Sequence, residues 1–164
     1  MSFLPRARSA MNRKIRYGLG CGGYNPKAAH PGAWSIRKFR PAWYCDCSGF
    51  IAWVVGRSRK PGSDWKWWFS TDSVYADAMG PQVLFVRIPA GLEQPGDLVV
   101  YPDSHTRGPD GKLVTHQGHI ALVSDPARHM VIDCGSTSNG ITERRLSIMW
   151  NKPKAIFCKL REAA

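Results

Sequence analysis

The feature that most constrains the fold is a change in residue patterning near position 83. From there onward, short runs rich in β-branched and apolar residues alternate with turn-forming pairs such as Pro95-Gly96 and Asn139-Gly140. The runs predict six strands, over residues 83–88, 97–101, 119–124, 130–134, 141–146 and 155–160. Because helical patterns precede these strands, we expect an α+β fold whose second half is an antiparallel sheet.

The first half of the chain predicts helices joined by one long loop. These elements fall on residues 8–16 (a basic helix), 24–46 (a loop rich in proline and glycine), 47–56 (an apolar helix) and 71–79 (a short helix). A length of 164 residues suits one domain with its own core. We therefore expect a single domain over 1–164, with 1–16 as a basic N-terminal arm or helix and 17–160 as the core.

Charge and composition exclude some classes of protein. Seven Trp, six Phe and five Tyr supply enough apolar bulk to exclude intrinsic disorder, and no apolar run is long enough to predict a transmembrane segment. The formal net charge is +11, and residues 1–45 contain nine Lys or Arg but no acid. This asymmetry predicts an anionic partner, whether nucleic acid, lipid headgroups or wall polymer.

The cysteines and the N-terminal sequence bear on where the protein acts. Five cysteines are an odd number, so at least one has no partner within the chain, and the pairing of Cys21, Cys45, Cys134 and Cys158 stays open. The basic start lacks the apolar segment of a secretory signal peptide. We expect synthesis in the cytoplasm, with lysis or a delivery machine bringing the protein to any target outside the cell.

Cys47 is the candidate nucleophile. It begins the predicted apolar helix, where unpaired backbone N–H groups and the helix dipole favour a thiolate over a thiol. The same N–H groups can receive the oxyanion that forms when a thiolate attacks a carbonyl. A buried, unreactive cysteine is the alternative, and the helix alone does not decide between the two.

His119 and Asp133 supply a candidate base and its orienting group. His119 begins a predicted strand after Gly118, where it can face a cysteine on a neighbouring helix. Asp133 lies in the next apolar strand, and a carboxylate buried there needs a partner. A hairpin of these two strands would let Asp133 bind the distal imidazole nitrogen and hold the ring toward Cys47.

Four segments occur in one order along most of the chain. They are Tyr-Gly-Leu-Gly-Cys-Gly-Gly at 17–23, Asp-Cys-Ser-Gly-Phe-Ile at 46–51, Gln-Pro-Gly-Asp-Leu-Val at 94–99 and Gly-His-Ile-Ala-Leu-Val at 118–123. In order and spacing they resemble the signature blocks of the NlpC-type cell-wall cysteine peptidases. The last segment is also similar to the histidine block of the related CHAP amidases, but the Asp-Cys-Ser-Gly-Phe block favours the NlpC type.

The resemblance implies a papain-like fold, with the nucleophile helix packed on an antiparallel sheet, and hydrolysis of an amide bond in the stem peptides of peptidoglycan. By position it makes Cys47 the nucleophile, His119 the base and Asp133 the third residue. The family commonly has histidine at that third position, so Asp133 is a departure. No metal or other cofactor is implied.

Three further positions follow from the same resemblance. Tyr17 corresponds to the tyrosine near the oxyanion. Asp46 and Ser48 flank the nucleophile and are expected to help hold substrate, as in relatives that grip a free amine. The bond cleaved is left open between D-Glu and the diamino acid, a cross-bridge, or the sugar and L-Ala.

Two other kinds of site are weaker predictions. A zinc site would use residues from the set Cys45, Cys47, His116, His119 and Cys134, but their spacing matches no common zinc motif, so we expect no metal. The Trp cluster, defined here as Trp65, Trp67 and Trp68 around Lys66, has the composition of a stacking surface for nucleic acid. Since no nucleic-acid-binding fold pattern accompanies it, we expect the cluster to line a groove for glycan or peptide.

The sequence therefore predicts a cysteine-dependent peptidoglycan endopeptidase or amidase, with the wall stem peptide as its partner and no nucleic acid. Its size and charge suit a phage lysis enzyme or an injected antibacterial effector, and for an effector an immunity protein is a further candidate partner. The alternative is a basic, non-catalytic protein of the same fold that binds wall polymer or nucleic acid. His116 is the next candidate base if His119 is not the one.

Overall fold

A six-stranded antiparallel sheet forms the second half of the chain, in the order β3-β10-β4-β7-β8-β9. Its strands are β3 (Phe85–Ile88), β4 (Leu98–Tyr101), β7 (His119–Asp125), β8 (Met130–Gly135), β9 (Gly140–Arg145) and β10 (Ile156–Leu160). The computed structural model describes residues 3–23, 25, 27–32, 43–59, 68–152 and 154–161. All six predicted strands are present, so the predicted α+β class is confirmed.

The helices are α1 (Leu4–Met11), α2 (Cys47–Val54), α3 (Thr71–Met79) and α4 (Ser147–Trp150). The predicted α2 and α3 are confirmed, whereas α4 was not predicted and the bounds predicted for the first helix are wrong. Pro5 occupies the first turn of α1, where its missing N–H costs no hydrogen bond. None of the described helices is long and apolar enough to cross a membrane.

Two short two-stranded sheets complete the described structure. β1 (Arg16–Tyr17) pairs in parallel with β2 (Tyr44–Cys45), which lies within the predicted loop; most of that loop is outside the described residues. β5 (Ser104–Arg107) and β6 (Leu113–His116) form a hairpin between β4 and β7. The hairpin was not predicted because nearly all of its residues are exposed, so it lacks the alternation of apolar and polar residues that marks a half-buried strand.

The core lies between the sheet and α2, all eight of whose residues are buried. Alternate residues of the central strands, such as Leu122 of β7 and Ile132 of β8, pack in the same cluster as Phe50 and Ile51 of α2. Ala7 and Ala10 of α1 are also fully buried in this cluster. The opposite face of the sheet packs in a smaller cluster against α4.

Local sequence determines both ends of α2. Asp46 caps the N-terminus, where its carboxylate accepts the Gly49 N–H at 2.7 Å. Gly56 follows the C-terminal end at φ +71°, the left-handed conformation that glycine adopts without strain. Gly49 itself is required because a Cβ there would collide with the carbonyl oxygen of Cys21. The helix start is thereby fixed tightly against the chain near Cys21.

Candidate active site

Cys47 is the first residue of α2, and its side chain is 7% exposed in the wall of a cavity of about 200 Å³. Of the first N–H groups of the helix, that of Gly49 is bound by Asp46. Within the described structure, the N–H groups of Cys47 and Ser48 have no hydrogen-bond acceptor. First-turn N–H groups point out of the helix along its axis. Within the described structure two free donors therefore lie beside Cys47, as an oxyanion site would require.

The structure brings His119 and Asp133 together with Cys47. Nε2 of His119 lies 2.6 Å from Oδ2 of Asp133. The imidazole also lies close enough to the Cys47 side chain to interact with it electrostatically, and Nδ1 is the ring nitrogen that Asp133 leaves free. Asp133 thus holds the distal nitrogen and directs the other one at the sulfur, which is the arrangement of a nucleophile, base and orienting group.

Strand register places the base and its partner. β7 and β8 pair antiparallel with Leu122 opposite Ile132, so Asp133 comes opposite Ala121, two residues from His119 on the same face. Cys134 points to the other face, where it is buried near Cys45. Gly118 is needed because a Cβ there would lie 2.5 Å from the Tyr101 carbonyl oxygen.

Arg144 is a site residue that the sequence did not predict. Its Nε and Nη2 donate to the two carboxylate oxygens of Asp133 at 3.0 and 2.7 Å. β9 pairs with β8 so that Thr142 lies opposite Asp133, and Arg144, two residues farther, shares that face. Because an aspartate in an apolar strand needs a hydrogen-bond donor, the sequence indicated that Asp133 has a partner. Only the strand register identifies Arg144 as one of its donors.

The charges in this group support one another. Burial opposes ionisation of Asp133, but hydrogen bonds from His119 and Arg144 outweigh it and lower the pKa of that carboxyl. Burial likewise acts to lower the pKa of His119, but the neighbouring Cys47 and Asp133 outweigh it and raise that pKa to about 10. At neutral pH the imidazole therefore holds its proton and faces the Cys47 sulfur as a cation.

Two tyrosines border the Cys47–His119 pair. Tyr17 of β1 is half-buried and lines the cavities on both sides of the pair. Burial, followed by the nearness of Cys47 and Asp46, raises the Tyr17 pKa. Burial, with Cys47 and Asp133 nearby, also raises the pKa of Tyr101, whose ring centroid is 6.4 Å from that of His119. Both phenols keep their protons at neutral pH, and a role of the Tyr17 hydroxyl at the oxyanion stays a prediction.

Asp46 and Ser48 lie in the cavity wall but are engaged by the protein itself. Asp46 is 1% exposed, and it accepts hydrogen bonds from the Gly20 N–H at 2.6 Å and from Nη1 of Arg59 at 2.6 Å. Arg59 also donates to the Ser48 hydroxyl at 3.0 Å. Their direct role in holding substrate stays a prediction, whereas their role in fixing the helix start is visible. Arg59 is a second residue that sequence reasoning missed.

The residues of the alternative zinc site do not converge. His116 is exposed on β6 and bonds the Thr106 hydroxyl at 2.9 Å, while Cys134 donates to the Cys45 carbonyl in the core. Within the described ranges, no three His, Cys, Asp or Glu side chains form a group that could hold a metal ion. All five cysteines are free thiols.

The tryptophan cluster and the basic arm are only partly described. Trp65 and Trp67 lie outside the described residues, whereas Trp68 lines the cavity beside Cys47, with the Arg59 guanidinium 4.7 Å from its ring centre. In the arm, Arg6 stacks on Trp53 at 4.3 Å and Arg8 lies 3.6 Å from Glu143. These two cations hold α1 to the core.

The fold is similar to that of solved structures. One is the peptidoglycan hydrolase RipB from Mycobacterium tuberculosis, with a TM-score of 0.52 and 20% identity over 99% of this chain and 64% of that chain. Another is NlpC1 from Trichomonas vaginalis, with a TM-score of 0.48 and 16% identity over 94% of this chain and 41% of that chain. The chain thus spans less than two thirds of either solved chain. No family model and no curated protein matches the sequence. The likeness to RipB confirms the predicted papain-like, NlpC-type fold.

Proposed function

We propose that the chain is a cysteine-dependent peptidoglycan hydrolase that cleaves an amide bond in wall stem peptides. One observation carries the proposal: Cys47, at the start of a buried helix and in a cavity wall, interacts electrostatically with the imidazole of His119, whose Nε2 is held by Asp133 at 2.6 Å. The fold shared with a solved peptidoglycan hydrolase supports the substrate class.

The geometry supports a two-step mechanism. With the proton on His119, the Cys47 sulfur attacks the scissile carbonyl, and the free N–H groups at the helix start, with the Tyr17 hydroxyl, stabilise the oxyanion. His119 then donates its proton to the leaving amine, and a thioester remains on Cys47. His119 next takes a proton from water, which attacks the thioester and releases the acid. Asp133 keeps the ring oriented through both steps.

A digestion experiment tests the proposal. Purified Gram-negative sacculi are incubated with the wild type, with Cys47→Ala and with Cys158→Ala, a matched control in which a buried cysteine remote from the site is removed. Mass spectrometry of the released fragments identifies the bond cleaved. We expect release by the wild type and Cys158→Ala only, with activity abolished by iodoacetamide and indifferent to chelator. Equal release by Cys47→Ala would refute a catalytic cysteine, and wall binding without release would favour the non-catalytic alternative.

The site of action is part of the same proposal. We propose that the enzyme acts on the wall from the periplasmic side, as a phage lysis enzyme or an antibacterial effector, and the charge of +11 suits that anionic envelope. Expression in a Gram-negative host with and without an added export signal tests this. Lysis only with the signal, and only with Cys47 intact, is expected. Equal lysis without export would point to a cytoplasmic target.

A further inference from the structure

A second cavity, of about 210 Å³, lies next to the candidate active site and carries positive charge. Lys152, Lys154 and His116 contribute to its lining, and no carboxylate does. Within the described part of the chain, neither lysine forms an ion pair with an acid. We call this space the cationic cavity. Unpaired cations that share a concave surface are suited to an anionic ligand group.

The cationic cavity adjoins the cavity that contains His119. Tyr101 and Gln117 line both it and the cavity that contains His119. Nζ of Lys152 lies 5.5 Å from the centre of the Tyr101 ring, and that centre lies 6.4 Å from the centre of the His119 ring. A peptide of roughly two to four extended residues, at about 3.3–3.6 Å each, reaches from one to the other.

The turn that carries Lys152 is fixed to the fold. The Lys152 N–H donates to the Met149 carbonyl at 3.4 Å, and the Lys152 carbonyl accepts the Ala155 N–H at 2.9 Å. Just before this turn, Trp150 stacks on His129 with their ring centroids 5.0 Å apart. Although the lysine side chain is exposed, its backbone is therefore held in place beside the cavity.

The two ends of the cleft differ in charge. The cavity beside Cys47 is lined by Asp72 and Asp103, whose carboxylates accept hydrogen bonds from the backbone N–H groups of Asp103 and Gly118. The cationic cavity shares Tyr101 and Gln117 with the cavity that contains His119, and of these two it shares Gln117 alone with the cavity beside Cys47. Because His119 gives its proton to the leaving amine, the leaving part of the substrate lies on the His119 side. The cationic cavity is thus on the leaving-group side of the scissile bond.

We propose that the cationic cavity binds a carboxylate on the leaving portion of the stem peptide, through Lys152 and Lys154. This assignment rests on the proposed function and narrows its substrate class to peptides with a free carboxylate within a few residues after the cleaved bond. Amidated peptides are then poorer ligands.

Binding measured without turnover tests the assignment. In the Cys47→Ala background, calorimetry compares soluble muropeptides in two preparations, native and with their carboxylates converted to amides by carbodiimide and ammonia. We expect native muropeptides to bind roughly three- to tenfold more tightly. In Lys152→Gln/Lys154→Gln that ratio should fall toward one. The control Lys14→Gln/Lys112→Gln, which loses the same charge at exposed positions outside the cavity, should keep it.

The outcomes separate the two proposals. An unchanged ratio in the Lys152/Lys154 variant would overturn the cationic cavity as a subsite. An equal fall in the control would also overturn it, because net charge would then explain the preference. Loss of Cys47-dependent cleavage of sacculi is a separate result that bears on the proposed function alone.

Discussion

Two Asp–Arg pairs belong to the candidate site, Asp46–Arg59 and Asp133–Arg144, and they differ in burial and in the further groups that they contact. In Asp46–Arg59 both side chains are buried, at 2% and 4% exposed, and the remaining partners are a hydroxyl and backbone groups. In Asp133–Arg144 the carboxylate is fully buried but the guanidinium is 28% exposed at a cavity, and the third partner is the titratable His119.

The difference shows how one kind of ion pair performs two tasks. Arg59 links the Cys21 carbonyl, Asp46 and Ser48, so its pair joins the glycine-rich segment to the start of α2 and fixes the nucleophile's backbone. The Asp133–Arg144 pair instead fixes a carboxylate that orients a base. We therefore expect disruption of the first pair to cost mainly stability, and disruption of the second to cost mainly turnover.

The largest expected effect is that of Asp133→Asn on catalysis. The amide keeps the shape of the side chain but removes the charge that stabilises the imidazolium, so kcat/KM should fall by about a hundredfold to ten-thousandfold. The loss of stability should be smaller than for Asp46→Asn, since Arg144 keeps contact with solvent. Initial rates on soluble muropeptides, with Asp110→Asn as an exposed control, measure this. Unchanged kinetics would remove Asp133 from the site.

Asp46→Asn should have the next largest effect, on folding. The substitution leaves the Arg59 guanidinium buried without a counter-charge, and breaking a buried pair in this way costs about 3–5 kcal/mol. Urea denaturation of the wild type and the variant measures the free energy of unfolding. A loss below about 1 kcal/mol would contradict the structural role of this pair and favour a role of Asp46 in holding substrate.

The contrast between the pairs also shows what the sequence could predict. The nucleophile helix, its Asp46 cap and Gly56 end, and the six strands depend on local patterns, and the structure contains all of them. His119 and Asp133 were predicted as neighbours because adjacent strands in sequence usually pair. These are short-range regularities that a sequence displays directly.

Arg59 and Arg144 show where sequence reasoning stops. Each arginine lies more than ten residues from its aspartate in the sequence. The register of β9 on β8 brings Arg144 to Asp133, and the return of the chain to the start of α2 brings Arg59 to Asp46. A carboxylate predicted to be buried needs a hydrogen-bond donor. This basic chain has many Lys and Arg residues, and the sequence alone does not show which of them is that donor.

A smaller effect is expected from Arg144→Ala. Asp133 would keep its bond to His119 but lose its two-point anchor, so kcat/KM should fall roughly tenfold, the equivalent of one hydrogen bond to a charged group. Arg144→Lys should recover only part of the rate, because an ammonium group cannot bind both carboxylate oxygens in the planar geometry of a guanidinium. Full activity in Arg144→Ala would show that β8 alone positions Asp133.

The smallest expected effect is a displacement of the alkaline limb of the pH–rate profile, and it distinguishes the pairs most directly. Leaving-group protonation needs the His119 proton, so activity should decline as pH rises through the raised pKa of that group, about 10. Asp133→Asn removes one of the charges that raise the His119 pKa. The alkaline decline of kcat/KM should therefore move to lower pH.

In Asp46→Asn the limb should move less, because the largest contributions that raise the His119 pKa come from Cys47 and Asp133. Protonated His119 also contributes to the free energy of unfolding. This contribution is complete below about pH 6.5 and is lost as pH rises through the folded-state pKa of His119. Profiles of kcat/KM from neutral to alkaline pH for the three proteins measure the displacement. An equal displacement in both variants would mean that the two pairs act on the imidazole through net charge alone, and that their different contacts do not separate their tasks.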